Sequence, residues 1–176
     1  MLHKVVNLTN GQSASLSWVK KEDIPQIIEV LNSIIREEKY WLDEKEITNL
    51  ETEQFIEIGN KAGMHYLVAR IEDKIVAGAV LSPGNGKEAH VAQFCVFIHK
   101  GFRDLGLGTI LTKELIEVAE KSGLESVQLF TFSTNKRAIH VYEKCGFKIC
   151  GKLTRDIKFS DGTYADKIIM ELLLER

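Results

Sequence analysis

The sequence predicts a single domain with a mixed α/β fold, built from about seven strands and about four helices. Segments in which apolar and polar residues alternate are interleaved with segments in which apolar residues recur every three or four positions, the periods of strands and helices. A chain of 176 residues, 44% of them hydrophobic, can bury one sizeable core. Only two prolines and no low-complexity stretch interrupt it, so we expect one domain over 1–176.

In the first half, the pattern predicts a strand, two helices and a hairpin, in that order. The residues from Ser13 alternate as a strand does, whereas the isoleucines and leucines after Glu22-Asp23 recur at helical spacing. A polar, acidic stretch leads into a shorter helix, and the turn Glu72-Asp73 separates two apolar strands. The elements predicted here are a strand at 13–19, a helix at 24–35, a helix ending near 62, and strands at 65–71 and 74–81.

In the second half, strands and helices alternate and glycines mark where they end. The loop Pro83-Gly84-Asn85-Gly86 precedes a long, largely apolar strand, and the helix that follows it stops at Ser122-Gly123. Gly146 ends the last helix, and Asp161-Gly162 supplies the turn between two closing strands. The elements predicted here are a strand at 87–98, a helix at 107–121, a strand at 126–131, a helix at 135–144, and one strand on either side of 161–162.

Charge and hydropathy exclude two classes of partner. The 23 basic and 25 acidic side chains nearly balance, so the positive field on which phosphate-backbone binding depends is missing and we expect no nucleic acid partner. No apolar run approaches the roughly 20 residues that a membrane span requires, and the first residues are a polar mixture. We therefore expect a cytoplasmic protein that does not bind membranes.

The three cysteines, Cys95, Cys145 and Cys150, are odd in number and lack the paired spacing of zinc ligands. Neither a disulfide framework nor a metal site is expected. Each cysteine is interpreted as a small buried hydrophobe.

The loop between the long strand and the third helix is predicted to bind an anion. It leads from a strand into a helix start, where unpaired backbone N–H groups and the positive end of the helix dipole are available. Gly106 and Gly108 remove the Cβ atoms that would keep a pyrophosphate from those amides, and Arg103 adds a charge that can fork onto phosphate oxygens. The predicted pyrophosphate loop is Arg103-Asp104-Leu105-Gly106-Leu107-Gly108.

Three other interpretations compete for this loop. A dinucleotide-binding fingerprint would need a third glycine where Leu111 stands, and a P-loop would need a Gly-Lys-Ser/Thr that does not occur. A plain tight turn between strand and helix would also use glycines. Taken alone, the loop does not exclude the plain turn, but a second motif follows it.

The loop resembles motif A of the GNAT acetyltransferases, Arg/Gln-x-x-Gly-x-Gly/Ala, with Arg103, Gly106 and Gly108 in register. The segment from Ser133 to Phe147 resembles the family's Asn-x-x-Ala-x-x-x-Tyr-x-x-x-Gly-Phe block. Its matching residues are Asn135, Ala138, Tyr142, Gly146 and Phe147. Two motifs at the family's separation are hard to obtain by chance, and the resemblance extends from Ala14 to Leu174.

The resemblance implies a central, mixed and mostly antiparallel sheet that splays at the cofactor site, with acetyl-CoA as co-substrate and no metal. The pantetheine arm would lie in the gap as a pseudo-strand and contact Asn135. Tyr142 would lie near the cofactor sulfur and protonate the departing thiolate. The other implied cofactor residues are Val96, Phe97 and Ile98 along the arm and Arg103, Asp104, Leu105, Gly106, Leu107, Gly108 and Thr109 at the pyrophosphate.

Acetyl transfer from a thioester to an amine requires a neutral amine, stabilisation of the tetrahedral oxyanion and a proton for the leaving sulfur. A phenol with a pKa of about 10 stays protonated at neutral pH and can donate to a thiolate. Tyr142 fits this role, although a core aromatic on that helix would look the same. A backbone N–H at Ile98 or its neighbour is expected to meet the oxyanion.

The general base is not evident from the sequence. Some relatives that the chain resembles carry a glutamate at the position of Ala92 or of Phe130, and neither carboxylate is present here. His90 is a candidate because imidazole titrates near neutrality and strand alternation places it on the same face as Ala92. The alternatives are a purely structural histidine, a water chain, and the carboxylates of Glu37, Glu38 or Asp156.

The expected acceptor is a small cationic primary amine. The resemblance implies that the segment between the first two helices and the final hairpin select the acceptor, and acidity there attracts a cation. The residues concerned are Glu37, Glu38, Tyr40, Trp41, Asp43, Glu44, Glu46 and Asp161. A solvated charged face would have the same composition. Alternatives are a protein N-terminus or lysine as acceptor, and a non-catalytic acetyl-CoA-binding module; the final hairpin could also pair in a homodimer.

Overall fold

A computed structural model describes residues 3–175, apart from the side chain of residue 58. In this part of the chain, one sheet of eight strands is combined with four α-helices. The strands are β1 (His3–Asn7), β2 (Ser13–Trp18), β3 (His65–Ile71), β4 (Lys74–Pro83), β5 (Val91–Ile98), β6 (Ser126–Phe132), β7 (Lys148–Lys158) and β8 (Tyr164–Leu173). The helices are α1 (Ile24–Ile35), α2 (Asn49–Lys61), α3 (Leu107–Lys121) and α4 (Lys136–Lys144).

The strand order is β1-β2-β3-β4-β5-β6-β8-β7. Strands β5 and β6 are parallel, and the other neighbours are antiparallel. The predicted mixed, mostly antiparallel sheet with four helices is therefore confirmed. The count of about seven strands was one short, because β1 is a short edge strand with largely exposed side chains and carries little hydrophobic pattern.

Local signals determine where the helices begin. Pro25 lies in the first turn of α1, where its missing N–H costs nothing. Before α2, the Thr48 amide donates to the Glu51 carboxylate at 2.8 Å and the Glu51 amide donates to the Thr48 hydroxyl at 3.4 Å, which is a capping box. The Asn135 side chain accepts from the Ala138 amide at 3.3 Å and caps α4.

The middle of the sheet is buried on both faces. In β3, Leu67 and Ala69 join the core formed with α3, whereas Tyr66 and Val68 join a second core formed with α1. The same alternation continues through β4, so both strands are almost continuously apolar, as strands covered on both faces must be. Burial on both faces fixes the register of β4, and β5 pairs with β4.

Strands β5 and β6 separate soon after they meet. They pair only at Val91↔Ser126, Ala92↔Val127 and Gln93↔Gln128, while β5 stays paired with β4 as far as Ile98. Within the described residues, the other edge of β5 has no strand partner beyond Gln93. The predicted splay is confirmed, and it leaves a gap that opens beside the last five residues of β5.

Two sequence expectations about local structure are wrong. Strand β5 begins at Val91 rather than at residue 87, because Gly86–Glu88 form a 3-10 turn. The cysteines are not buried: Cys95 and Cys150 are exposed and Cys145 is half-buried. Cys95 lies on the sheet face that opens into a cavity, and Cys150 lies on the edge strand β7, so neither is covered by a helix.

Within residues 3–175, no helix combines the length and the apolarity needed to cross a membrane. In the same residues, no three His, Cys, Asp or Glu side chains are grouped so that they could hold a metal ion. The division into a single domain and the cytoplasmic location stay predictions.

Gly78 is required beside Phe97, so we expect Gly78→Ala to destabilise the fold by about 1–3 kcal/mol through overpacking. A Cβ at Gly78 would lie 2.4 Å from Cζ of the Phe97 ring. Gly151→Ala is the matched strand control, since its Cβ would lie 3.4 Å from the nearest atom of Ile169, an ordinary contact. Denaturant unfolding of both variants measures the difference, and equal losses of stability would contradict the packing argument.

Candidate active site

The gap between β5 and β6 opens into two adjoining cavities. The smaller, of about 160 Å³, extends toward the loop after β5 and the starts of α3 and α4. The larger, of about 1100 Å³, lies between the sheet and the segment that joins α1 to α2. Six residues line both cavities and define what we call the junction: Tyr40, Trp41, Val96, Phe97, Asn135 and Tyr142.

The smaller cavity reaches the predicted pyrophosphate loop. Gly106 caps α3 in the left-handed conformation, with φ at +86°. The first N–H groups of α3 have no carbonyl within the helix to donate to, so the loop presents amides where an anion can bind. The loop residues that line the cavity are Arg103, Asp104, Gly106, Gly108 and Thr109. Leu105 and Leu107 do not line it and instead pack against the main core.

The backbone of β5 offers hydrogen-bonding groups to the gap. The His99 amide donates to the Val76 carbonyl at 2.9 Å, which fixes the alternation of the β4–β5 ladder. By that alternation, the backbone groups of Phe97 face β4, whereas those of Val96 and Ile98 face the gap. An extended chain lying in the gap can therefore pair with Val96 and with the Ile98 amide.

Arg103 does not extend a free guanidinium toward the loop. Its Nε donates to the Ile98 carbonyl at 3.1 Å, and its two terminal nitrogens donate to the Glu37 carboxylate at 2.7 and 2.5 Å. The guanidinium also lies 5.0 Å from the centre of the Tyr40 ring. Here the fork of Arg103 is occupied by Glu37, and its binding to phosphate stays a prediction.

Arg137 is a cation at the pyrophosphate loop that the sequence analysis missed. It lies in the first turn of α4, lines the smaller cavity, and places its Nε 3.1 Å from the Asp104 carboxylate. Its side chain is 52% exposed, so it can turn toward an anion at little cost. The available signal was a basic residue two positions after Asn135, inside the second motif.

Asn135 and Tyr142 both line the junction. The Asn135 side-chain oxygen caps α4, and its amide nitrogen makes no hydrogen bond within the described residues. Tyr142 is 6% exposed and packs against Phe94 and Phe147, with ring centres 6.2 and 5.9 Å away. Each positions one polar group toward the gap from an otherwise packed helix.

The hydroxyl of Tyr142 is accessible from the cavities. Among the described residues, every fully buried polar side-chain atom has a hydrogen-bond partner. The Tyr142 hydroxyl has no such partner, so it is not fully buried and must be open to solvent in the cavities. Burial of the ring raises the pKa of Tyr142 well above its usual value. The phenol therefore stays protonated at neutral pH.

The comparisons with known proteins agree with this geometry. The model of the acetyltransferase (GNAT) family matches residues 28–147 of the chain. The chain belongs to the GNAT family. It is an N-acetyltransferase.

Three relatives illustrate the match. The chain is 27% identical over 115 residues to the L-amino acid N-acetyltransferase of Escherichia coli (strain K12), covering 64% of this chain and 70% of that protein. It is 26% identical to a crystal structure of a GNAT acetyltransferase from Streptococcus pneumoniae, with a TM-score of 0.84 over 92% of this chain and 99% of that one. A GNAT phosphinothricin acetyltransferase from Sinorhizobium meliloti, crystallised with acetyl-CoA, is 18% identical with a TM-score of 0.86, covering 92% and 88% of the two chains.

The GNAT site does not contain the bases that the sequence suggested. His90 is exposed in the turn before β5, so its predicted strand position is wrong, and it lines neither cavity. Its carbonyl accepts from the Glu125 amide at 2.8 Å, at the end of β5 away from the gap. Glu38 bonds to Ser160, and Asp156 pairs with Lys167, so neither carboxylate faces the junction.

Cys95 is a nucleophilic residue type inside the larger GNAT cavity, but it is not activated. The thiol is exposed to the cavity, and desolvation by the surrounding protein raises its pKa to about 11. At neutral pH the thiol is protonated, which disfavours an acetyl-cysteine intermediate and favours direct transfer.

Replacing Gly106 tests the pyrophosphate loop. We expect Gly106→Ala to weaken acetyl-CoA binding and to cost about 1–2 kcal/mol of stability, because a Cβ is strained at positive φ. Gly86→Ala is the control: Gly86 has φ at +56°, with nothing within 4 Å of the added Cβ, and it lies outside both cavities. Calorimetric titration with acetyl-CoA should separate the two variants although both lose stability. Wild-type affinity in Gly106→Ala would contradict the loop assignment.

Replacing Glu37 tests its pairing with Arg103. We expect Glu37→Gln to lower the free energy of unfolding by about 1–3 kcal/mol, because the guanidinium loses a charged partner in a setting where it is largely shielded from water. The two side chains are only 15% and 20% exposed. The exposed neighbour Glu38 supplies the control Glu38→Gln, for which we expect a change below about 0.5 kcal/mol. Thermal unfolding that fails to distinguish the two variants would contradict the structural role of the pair.

Proposed function

We propose that the protein transfers the acetyl group of acetyl-CoA to a primary amine by direct attack in a ternary complex, with Tyr142 as general acid. The observation that carries this proposal is the position of the Tyr142 hydroxyl at the junction of two cavities. One cavity has the features of a cofactor site and the other is open to an acceptor. A single protonated group thus faces the point where two substrates would meet.

The smaller cavity supports acetyl-CoA binding in an extended form. The pyrophosphate would accept hydrogen bonds from the first amides of α3, with Arg137 as the nearby cation. The pantetheine arm would pair with the free backbone groups of Val96, with the Ile98 amide and with the Asn135 side-chain amide. This arrangement directs the thioester toward the Tyr142 hydroxyl.

The transfer requires one bond to form and one to break. The amine nitrogen attacks the thioester carbonyl, and as the carbonyl re-forms the C–S bond breaks and the sulfur takes the Tyr142 hydroxyl proton. The phenolate then recovers a proton from the nitrogen, directly or through water. The raised pKa of Tyr142 makes its phenolate short-lived, which favours this return.

The acceptor must lose a proton before it attacks. An amine with a pKa near 10.4 is neutral in about one molecule in 2500 at pH 7, which costs about 4.6 kcal/mol. No predicted base faces the junction, so we assign the proton to water in the larger cavity. Four carboxylates line that cavity: Asp43, Glu44, Glu46 and Glu51. Because Glu46 is paired with Arg36 and Glu51 is hydrogen-bonded to Thr48, Asp43 and Glu44 are the two that can receive the proton.

The same four carboxylates make the larger cavity acidic, because Lys45 is the only basic side chain among its described lining residues. An acidic cavity supports a small cationic amine as the acceptor. A protein N-terminus or a lysine side chain is the alternative, because the larger cavity is wide enough for a chain end. The name of the Escherichia coli relative adds a free amino acid as a competing acceptor.

A non-catalytic acetyl-CoA-binding module fits less well, because it has no use for Tyr142. A homodimer stays a prediction.

Tyr142→Phe tests the general acid. We expect the turnover number to fall by about 10²–10⁴-fold, the usual contribution of a positioned acid, with the affinity for acetyl-CoA unchanged. Release of the CoA thiol, followed with a panel of amines and peptides, measures turnover, and calorimetry measures affinity. Tyr164→Phe is the control, since Tyr164 is exposed on β8 and lines neither cavity. Full turnover in Tyr142→Phe would remove the assignment of the acid.

A further inference from the structure

The floor of the larger cavity is a row of side chains that crosses three strands. Tyr66 of β3 lies opposite Val80 of β4, and Val80 lies opposite Cys95 of β5, so all three side chains share one face of the sheet. Phe97 lies on the same face two residues farther along β5 and also belongs to the junction. This row and Phe97 are therefore apolar, apart from the hydroxyl of Tyr66 and the thiol of Cys95, while the polar side chains of Ser82 and Gln93 lie on the same face farther from the junction.

The hydroxyl of Tyr66 has no partner in the protein. Tyr66 is 4% exposed, and none of the hydrogen bonds among the described residues involves its side chain. Because every fully buried polar side-chain atom there has a partner, this hydroxyl must reach solvent, and Tyr66 lines the larger cavity. A hydroxyl that reaches solvent bonds to water, and a polar group of an acceptor that enters the cavity can replace that water as its partner.

Tyr66 is also held in place close to the junction. Its ring meets Phe97 edge to face, with ring centres 6.2 Å apart and planes at 87°. Phe97 in turn meets Trp41 at 6.4 Å and 88°. An acceptor that bonds to the Tyr66 hydroxyl would therefore lie against these rings, with its nitrogen directed toward Tyr142.

The junction offers no cation to hold a carboxylate. None of its six residues is basic. Arg103, which stacks on Tyr40, is fully engaged by Glu37 and the Ile98 carbonyl. Lys45 is the one basic side chain in the described lining of the larger cavity. In a free amino acid the carboxylate carbon lies about 2.5 Å from the reacting nitrogen, across two bonds, so the carboxylate would enter the junction unpaired. The acidic lining of the larger cavity would repel it further.

We propose that the larger cavity selects amines with an aromatic or apolar body and no carboxylate beside the reacting nitrogen, and that Tyr66 is the residue whose hydroxyl orients them. This inference rests on the proposed transfer to an amine and narrows its acceptor. It separates this chain from an enzyme that takes free amino acids. Tyr66 acts by binding the acceptor, whereas Tyr142 acts on the leaving sulfur.

Three ligands that differ in one group test the acceptor class. Phenethylamine has no carboxylate, phenylalanine amide carries a neutral amide in its place, and phenylalanine carries the charge. Binding of each to the CoA-saturated protein is measured by calorimetry, so turnover is not required. We expect phenethylamine and phenylalanine amide to bind at least about tenfold more tightly than phenylalanine, since the last two have nearly the same shape and phenylalanine alone carries the negative charge. Equal affinities, a preference for phenylalanine, or no binding by any of the three would overturn the proposed class.

Tyr66→Phe tests the orienting residue with the same titrations. The substitution removes one unpartnered oxygen, so the fold and the affinity for CoA should not change. We expect binding of tyramine, which is phenethylamine with a ring hydroxyl that can bond to Tyr66, to weaken about three- to tenfold, as the loss of one hydrogen bond predicts, and binding of phenethylamine, which lacks that hydroxyl, to stay the same. Tyr164→Phe makes the same chemical change outside the cavities and should bind as wild type. Unchanged tyramine affinity in Tyr66→Phe, or a parallel loss of CoA affinity, would overturn the role of Tyr66.

Thiol release from acetyl-CoA, measured in parallel, separates this inference from the proposed function. Phenethylamine that binds as expected without any release of thiol would support the acceptor class and contradict the transfer reaction. Release with phenylalanine but not with phenethylamine would support the transfer reaction and overturn the acceptor class.

Discussion

The separation of β5 from β6 is the constraint on which the rest of the site depends. Strand β5 remains bonded to β4, and β6 remains bonded to β8 along its whole length, so each keeps one paired edge after the two strands part. Unpaired backbone groups inside a protein are costly unless water or a ligand bonds to them. The gap is therefore a place where an extended substrate can complete the sheet. The amides at the start of α3, the Asn135 cap and the Tyr142 hydroxyl are all arranged around it.

The Arg103–Glu37 pair connects the segment after α1 to the end of β5, the strand that borders this gap. Arg103 follows β5, whereas Glu37 belongs to the segment after α1, and their bidentate contact fixes that segment to the end of the strand. Tyr40, which stacks on the same guanidinium, then forms part of the junction. The motif's arginine thus shapes the cleft, and Arg137 is the other cation that lines the smaller cavity in the described residues.

Features that depend on neighbours in sequence were predicted well, and features that depend on distant partners were not. Helix α3 begins and ends where Gly106 and Ser122-Gly123 indicated, since caps and periodicity act within a few residues. The engagement of Arg103 was missed because Glu37 lies 66 residues away. Tyr66 looks like any apolar strand residue, and its role emerges only when three strands align it with Cys95. His90 was misplaced because the 3-10 turn before β5 has no clear hydrophobic pattern.

The charged lining of the larger cavity comes entirely from one short stretch of chain. Within the described residues, its charged members all lie between Asp43 and Glu51, while the sheet contributes only uncharged side chains. Acceptor preference can therefore diverge among descendants of this chain by changes in a single connecting segment, without disturbing the strands that hold the cofactor. Such substitutions must retain Glu37 at the start of that segment, because Glu37 anchors the segment to Arg103.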